Sequence, residues 1–181
     1  MIYVSKNKLI DEYIDRLSDG DMNALDDLYR LIKSDVYAYA LSKVLNKDDA
    51  SDIMQDTFMH IYKNAKLYKR QGKPMAWIIT IESNLIKRYF NLKNREAIID
   101  DEVLSKQASN DNKLEKTFNN RLIDEMLNKL DSSEREIIVL HIVSNLKFRE
   151  IAKMLDKPLS TILSKYNRAM KRLKKEVNYE Q

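Results

Sequence analysis

Apolar residues in the first half of the chain recur at steps of three and four, which is the spacing of one face of an α-helix. The stripes break at SDGDM, where Asp19 or Asp21 can cap a helix, and at YKRQGKP, which holds one of two glycines and one of two prolines. A helix is expected from about Asp48 to Ala65, with one apolar side formed by Ile53, Met54, Phe58, Ile61 and Tyr62. The next helix, MAWIITIESNLIKRYFNLKNR, is apolar early and basic late.

The pattern fades in DDEVLSKQASNDNK, a polar and acidic stretch without periodicity. We interpret residues 98–116 as a flexible linker. Helical patterns then resume, and Asp131 and Glu134 have the spacing of a capping box. The sequence therefore predicts an all-α protein in which two small helical domains, at residues 8–97 and 117–178, are joined by this linker.

Composition narrows the classes of function. The chain has no cysteine, which excludes disulfides, thiolate metal sites and cysteine nucleophiles, and two glycines cannot build a phosphate-binding loop. His60 and His141 are expected to be isolated histidines on helix surfaces, and only Asp56 stands at a ligand's spacing from His60. We therefore expect no enzymatic activity, no cofactor and no metal.

No segment of the sequence has the pattern of a signal peptide or of a membrane span. Charges recur every few residues in the opening segment, and the longest apolar run elsewhere is MAWIITI. We expect a cytoplasmic protein without membrane insertion.

Positive charge is concentrated in two blocks, although the net charge is only +4. Residues 57–95 contain nine basic residues and one acid, Glu82, whereas residues 157–175 contain seven basic residues and no acid. Two basic blocks, one in each half, indicate two separate contacts with a polyanion.

The second block lies in a helix-turn-helix pattern, in which FREIAKML is followed by the break DKP and the long segment LSTILSKYNRAMKRLKK. The inner side of this pair is expected to contain Ile151, Ala152, Leu155, Ile162, Tyr166, Ala169 and Leu173. Hydroxyls and long cations then face outward, where they can reach base edges and phosphates of a major groove. These outward residues are Thr161, Ser164, Lys165, Arg168 and Arg172.

The segment from LDSSEREIIVL to AMKRLKK resembles region 4 of an extracytoplasmic-function sigma factor. The resemblance implies that this module recognises the promoter's minus 35 element and packs on the flap of the polymerase beta subunit. Two positions depart from the family pattern: Lys147 replaces a capping Ser or Thr, and Ser160 replaces a Gly but can itself cap the helix. The implied minus 35 contacts are Phe148, Arg149, Ser160, Thr161, Ser164, Lys165, Arg168 and Arg172.

The first half is similar to region 2 of the same family, through Asp52, Gln55 and Phe58 followed by Trp77 and Asn84. The resemblance implies binding of the beta-prime clamp helices by Asp52, Gln55, Asp56 and Met59. It also implies binding of the melted minus 10 element, through cations and through groups that hold an unstacked base. The implied minus 10 contacts are Tyr68, Lys69, Arg70, Lys73, Asn84, Lys87 and Arg88.

Some positions near that site differ from the family pattern. Arg88 and Asn91 stand where the family often has Asp and Arg, so the strand contacts of this helix are open. Trp77, within MAWIITI, is expected to be a core residue rather than a stacking platform.

The resemblance predicts a sigma factor that binds core RNA polymerase and promoter DNA and is held inactive by an anti-sigma factor. Two alternatives remain at this point. One is a helix-turn-helix regulator that binds operator DNA without polymerase, and the other is a helical module whose basic faces bind an acidic protein.

Overall fold

The structure, a computed structural model, describes residues 5–100 and 130–177, with side chains described for residues 5–95 and 130–174. All regular structure in these ranges is helical, as predicted. The helices are α1 (Lys6–Ser18), α2 (Asn23–Val44), α3 (Lys47–Asn64), α4 (Pro74–Asp100), α5 (Ser132–Ile138), α6 (Phe148–Met154) and α7 (Leu159–Val177). Most of the expected linker, and the helix expected just after residue 117, lie outside the described residues.

Two helix boundaries differ from the sequence expectation, and at a third a candidate capping residue forms a hydrogen bond. α3 begins at Lys47 because the side chain of Asn46 accepts hydrogen bonds from the backbone N–H groups of Asp48 and Asp49. Asp21 does accept from the N–H of Asn23, at 3.0 Å, where α2 begins. α4 continues to Asp100, past the expected start of the linker at residue 98.

The first four helices share one apolar core. Its fully buried side chains include Ile10 and Ile14 of α1, Ile32 of α2 and Ile78 of α4. On α3 the expected apolar side is buried except for Tyr62, which is 41% exposed, so the assignment of Tyr62 to the core was wrong. Tyr62 lies at the edge of the predicted apolar stripe, and the packing of the helices does not bury that edge.

The second helical unit begins with the expected capping box. Asp131 accepts from the N–H groups of Ser133 and Glu134, and Glu134 accepts from the N–H of Asp131. α5 then passes into a π-helical turn over Val139–Val143 before the turn to α6. On α7, Ile162, Ala169 and Leu173 are buried and Tyr166 is half-buried, as the periodicity predicts.

The two helical units are in contact. Ile137 and Leu140, from α5 and the π-helical turn, belong to the same apolar cluster as Val36 and Ala40 of α2. Polar groups cross the same boundary, since Arg135 NH1 donates to the carbonyl of Ser42 at 3.3 Å. Among the helices that the structure describes, none is long and apolar enough to cross a membrane.

Candidate nucleic-acid interface

The outer face of α7 carries exposed hydroxyl and cationic side chains. Ser164 and Arg168 are exposed, and Thr161 is half-buried at the edge of the face. Ser160 lies within the first turn, because α7 begins at Leu159 and the carbonyl of Pro158 accepts from the N–H groups of residues 161 and 162. The expectation that Ser160 caps this helix was therefore wrong.

Two of the expected DNA contacts hold α7 against α5. Arg172 NH1 donates to Glu134 Oε2 at 2.7 Å, and Lys165 Nζ donates to the hydroxyl of Ser133. The Glu134 carboxylate is fully buried. Arg172 therefore neutralises a buried charge, while 54% of its side chain remains exposed.

Phe148, at the start of α6, belongs to an aromatic cluster. Its ring stacks on His141 at a centroid distance of 3.9 Å and meets Tyr166 edge-on at 4.8 Å. His141 is half-buried, with Nδ1 at 2.8 Å from the carbonyl of Leu146, so its assignment to an isolated surface position was wrong. Arg149, next to Phe148, is exposed.

Lys147 supplies no side-chain cap to α6. The N–H of Lys147 instead donates to Glu150 Oε2 at 2.9 Å. The acidic residue at the third helical position therefore closes the first turn, which explains how the helix begins without the Ser or Thr common in the family.

The loop between α3 and α4, residues 68–73, contains four of the expected minus 10 contacts. Lys69 is exposed, whereas Tyr68 and Arg70 bind acidic side chains of α1. Lys73 Nζ lies 3.4 Å from Glu150 Oε1, so the end of this loop touches the second helical unit. Trp77 is half-buried and packs against the ring of Tyr68, consistent with a packing role.

Asn84, Lys87 and Arg88 lie together on one exposed face of α4. Lys87 and Arg88 follow Asn84 by three and four residues, so the three side chains lie within about one helical turn on the same side of α4. The opposite face packs into the core through Ile79, Ile86 and other buried residues. The structure thus brings these three polar residues together.

The expected polymerase contacts Asp52, Gln55, Asp56 and Met59 are all exposed on one face of α3. Tyr62, which the sequence analysis had placed in the core, extends that face by one turn. A shallow cavity of about 390 Å³ separates this face from Arg88 on α4 and is lined by Asp52, Asp56 and His60. Within the described ranges, no group of three or more His, Cys, Asp or Glu side chains could hold a metal ion.

Sequence reasoning missed the acidic partners of the basic residues. Asp11 and Asp15 of α1 bind Arg70, and Glu134 of α5 binds Arg172. Asp11 and its partner Tyr68 are 57 residues apart, so no local spacing could have connected them. The sequence offers one indirect signal, which is that acidic residues gather between Asp11 and Asp56.

Comparison with known families finds two matches in order along the chain. Residues 28–96 match the family described as Sigma-70 region 2, and residues 120–173 match Sigma-70, region 4. Together they cover most of both helical units.

Curated relatives extend the similarity over nearly the whole chain. The ECF RNA polymerase sigma factor SigW of Bacillus subtilis is 24% identical, over 93% of this chain and 97% of that protein. The ECF RNA polymerase sigma factor BldN of Streptomyces coelicolor is 26% identical over 90% of this chain, which spans only 63% of the length of BldN.

Solved structures share the fold. The sigma factor RpoE of Bartonella quintana, solved with the anti-sigma factor NepR, aligns with a TM-score of 0.66 at 23% identity, over 86% of this chain and 98% of RpoE. CnrH, solved with the cytosolic domain of CnrY, aligns with a TM-score of 0.63 at 18% identity, over 96% of this chain and 99% of CnrH.

Proposed function

The chain belongs to the sigma-70 family as an RNA polymerase sigma factor of the extracytoplasmic-function type, and from that premise we propose which of its surfaces bind polymerase and promoter. The proposed domains are residues 8–97 for region 2, 98–116 for the linker and 117–178 for region 4. The stand-alone regulator and the acidic-partner module would each account for only part of this organisation. The protein acts in the cytoplasm with polymerase and has no catalytic activity of its own.

The exposed face of α3 binds the beta-prime clamp helices of core polymerase. Asp52, Gln55, Asp56 and Met59 are exposed together, and Met59 is an apolar side chain with 48% of its surface accessible. An apolar group inside a polar patch is typical of a protein interface. Region 4 contributes a second contact, with the flap of the beta subunit.

The observation that carries the proposal is that each helical unit exposes its own polar and basic face. In region 4, Ser164 and Arg168 lie on the outside of α7, with Arg149 at the start of α6. This face enters the major groove of the minus 35 element, where side chains can bond to base edges and phosphates.

In region 2, Asn84, Lys87 and Arg88 on α4, together with Lys69 of the loop, bind the minus 10 element. The two strands separate there, so the site must hold an unpaired strand and neutralise its backbone. The exposed cations supply charge, and the Asn84 amide can donate and accept hydrogen bonds with a base.

The contact between the two helical units belongs to the free protein. In this closed arrangement, in which the two units touch, Lys73 is bound to Glu150, so the loop of residues 68–73 contacts α6. Binding to core polymerase separates the units and sets the spacing at which they meet the promoter. CnrH and RpoE were solved with CnrY and the anti-sigma factor NepR, and an anti-sigma factor would act here by stabilising the closed arrangement.

Run-off transcription tests the proposal. Purified protein and bacterial core polymerase are incubated with promoter fragments from the source genome, with Arg168→Ala as the variant and Arg30→Ala, an exposed residue of α2, as its matched control. We expect defined transcripts that require the protein, persist with the control and disappear with Arg168→Ala. Absence of transcripts, combined with specific binding of duplex DNA by the protein alone, would support the regulator alternative.

A further inference from the structure

Asp11 of α1 is a buried carboxylate that contacts the loop proposed to bind the minus 10 element. Only 5% of the residue is exposed. Its Oδ1 accepts a hydrogen bond from the phenol of Tyr68 at 2.5 Å, and its Oδ2 lies 3.5 Å from Nε of Arg70. One carboxylate therefore binds two residues of the same loop.

Tyr68 is held at both ends of its side chain. Its hydroxyl donates to Asp11, and its ring packs against Trp77 at a centroid distance of 4.8 Å. Burial, followed by the hydrogen bond to Asp11, raises the pKa of Tyr68 above its ordinary value. The phenol therefore stays protonated and remains a hydrogen-bond donor at neutral pH.

Arg70 binds the same helix, α1. Its NH1 lies 3.2 Å from Asp15, one helical turn beyond Asp11 on α1. Lys69, between the two held residues, is exposed. α1 thus binds two residues of the loop, of which Tyr68 is half-buried and Arg70 remains 51% exposed, and the intervening lysine is directed to solvent.

α1 also lies outside the part of the chain that matches Sigma-70 region 2, which begins at residue 28. We propose that Asp11 is a positioning residue for the minus 10 loop, residues 68–73. It holds Tyr68 and Arg70 against α1, so that Lys69 and the exposed face of α4 contact the unpaired minus 10 strand at the same time. This inference rests on the proposed function of the loop. It assigns to α1 a part in strand capture without placing Asp11 in contact with DNA.

Asp11→Ala removes the acceptor of the Tyr68 phenol and one of the two carboxylates that bind Arg70, leaving Asp15. Alanine has the highest helix propensity, so α1 is expected to remain helical. Tyr68→Phe removes only the phenol donor and retains the ring on Trp77. The matched control is Asp27→Ala, since Asp27 is also an ion-paired acid, 3.2 Å from Arg16, but does not touch the loop.

Trp77 is the only tryptophan of the chain, so its fluorescence reports on this loop directly. In the full-length protein without DNA, Asp11→Ala should shift the Trp77 emission and increase its quenching by acrylamide, and Asp27→Ala should not. If Asp11 and Tyr68 act through one hydrogen bond, the double variant with Tyr68→Phe should change less than the sum of the two single changes.

The functional measurement uses holoenzyme and a promoter fragment that gives a transcript in the run-off assay. One probe is a duplex that carries only the minus 35 element, and the other is a forked fragment with the minus 10 strand unpaired. Asp11→Ala should weaken binding of the forked probe about tenfold, which corresponds to about 1.4 kcal/mol. Binding of the duplex probe and of core polymerase should be unchanged, which general destabilisation would not produce.

Two results would overturn the inference. Equal forked-probe binding by Asp11→Ala and the parent would show that the loop needs no positioning by α1. Tighter binding would show that Asp11 competes with DNA phosphates for Arg70. If the parent protein gives no transcript on any promoter, the proposed function fails and takes this inference with it; a working parent with an unaffected Asp11 variant rejects the inference alone.

Discussion

The hydroxyl of Tyr39 on α2 donates a hydrogen bond to Glu136 Oε1 on α5 at 3.0 Å, and so joins the two helical units. Tyr39 is 1% exposed. Lys43 Nζ approaches the other oxygen of Glu136 at 3.1 Å. A single glutamate of region 4 thus binds two residues on one face of α2, next to the apolar contact of the same helices.

Glu136→Ala is expected to loosen the closed arrangement. It removes the carboxylate that accepts from the buried Tyr39 hydroxyl and leaves that hydroxyl with its neutral neighbour Ser83, which costs about 1 kcal/mol, while the ion pair with Lys43 adds less because it is partly exposed. Small-angle scattering of the full chain should show a larger radius of gyration, and the melting temperature should fall. Glu12→Ala, at an exposed position on α1, is the control. An unchanged radius together with an unchanged melting temperature would show that Glu136 does not hold the units together.

Arg172 and Arg168 should give opposite patterns, although both are cations of α7. Arg172→Ala leaves the buried Glu134 carboxylate without its cation and is expected to cost about 1–2 kcal/mol of folding free energy, reduced from the fully buried case because Arg172 is half-exposed. Arg168→Ala should leave stability unchanged and lower affinity for the minus 35 duplex. Urea denaturation and a DNA titration of each variant distinguish the two, and equal stability of the variants would refute the structural role of Arg172.

The exposed face of α3 should bind core polymerase without contributing to the fold. Gln55→Ala and Met59→Ala remove exposed side chains, so the melting temperature should not change. If these residues are central to the interface, the double variant should weaken core binding about tenfold or more. Competition with the parent protein for core polymerase measures this, with Asp26→Ala, an exposed residue of α2, as control. Full competition by the double variant would place the polymerase contact elsewhere.

The helices of this fold follow from local sequence patterns, whereas its long-range ion pairs do not. The stripe of Ile162, Ala169 and Leu173 predicts which side of α7 is buried, because helical period and burial are linked residue by residue. The same reasoning placed Tyr62 on the buried side of α3, although Tyr62 is exposed. A periodic pattern gives the direction of a side chain but not how much of it the neighbouring helices cover.

The candidate DNA contacts show the same limit. Arg168 and Arg172 are one turn apart on α7 and indistinguishable by sequence, yet Arg172 binds a buried carboxylate 38 residues away. His141 resembled an isolated histidine because the turn that brings Phe148 onto it is a tertiary feature. Long-range partners of this kind depend on packing, which no local spacing encodes.

Glu82 gives a prediction for the pH dependence of stability. Its carboxyl is 0% exposed in α4, and neither oxygen makes a hydrogen bond of good geometry among the residues that the structure describes, although the backbone of Ala40 approaches it and offsets the effect of burial in part. Burial raises the pKa of Glu82 well above its ordinary value of 4.5, so the folded protein keeps this group protonated to higher pH than the unfolded chain does.

The stabilisation from that difference is fully present below pH 4.5 and is lost as the pH rises through the raised pKa of the folded state. Glu82→Gln places a neutral group of the same size in the site, so it should remove this part of the pH dependence and be at least as stable as the parent at pH 8. Urea denaturation of both proteins from pH 5 to 8 measures the two slopes, and Glu12→Gln, at an exposed position, should retain the parent slope. Parallel curves for Glu82→Gln and the parent would show that Glu82 is ionised in the folded protein. Divergent curves, with the variant gaining on the parent as the pH rises, would establish that the buried carboxyl of Glu82, on the helix that carries the proposed minus 10 face, is protonated in the folded protein.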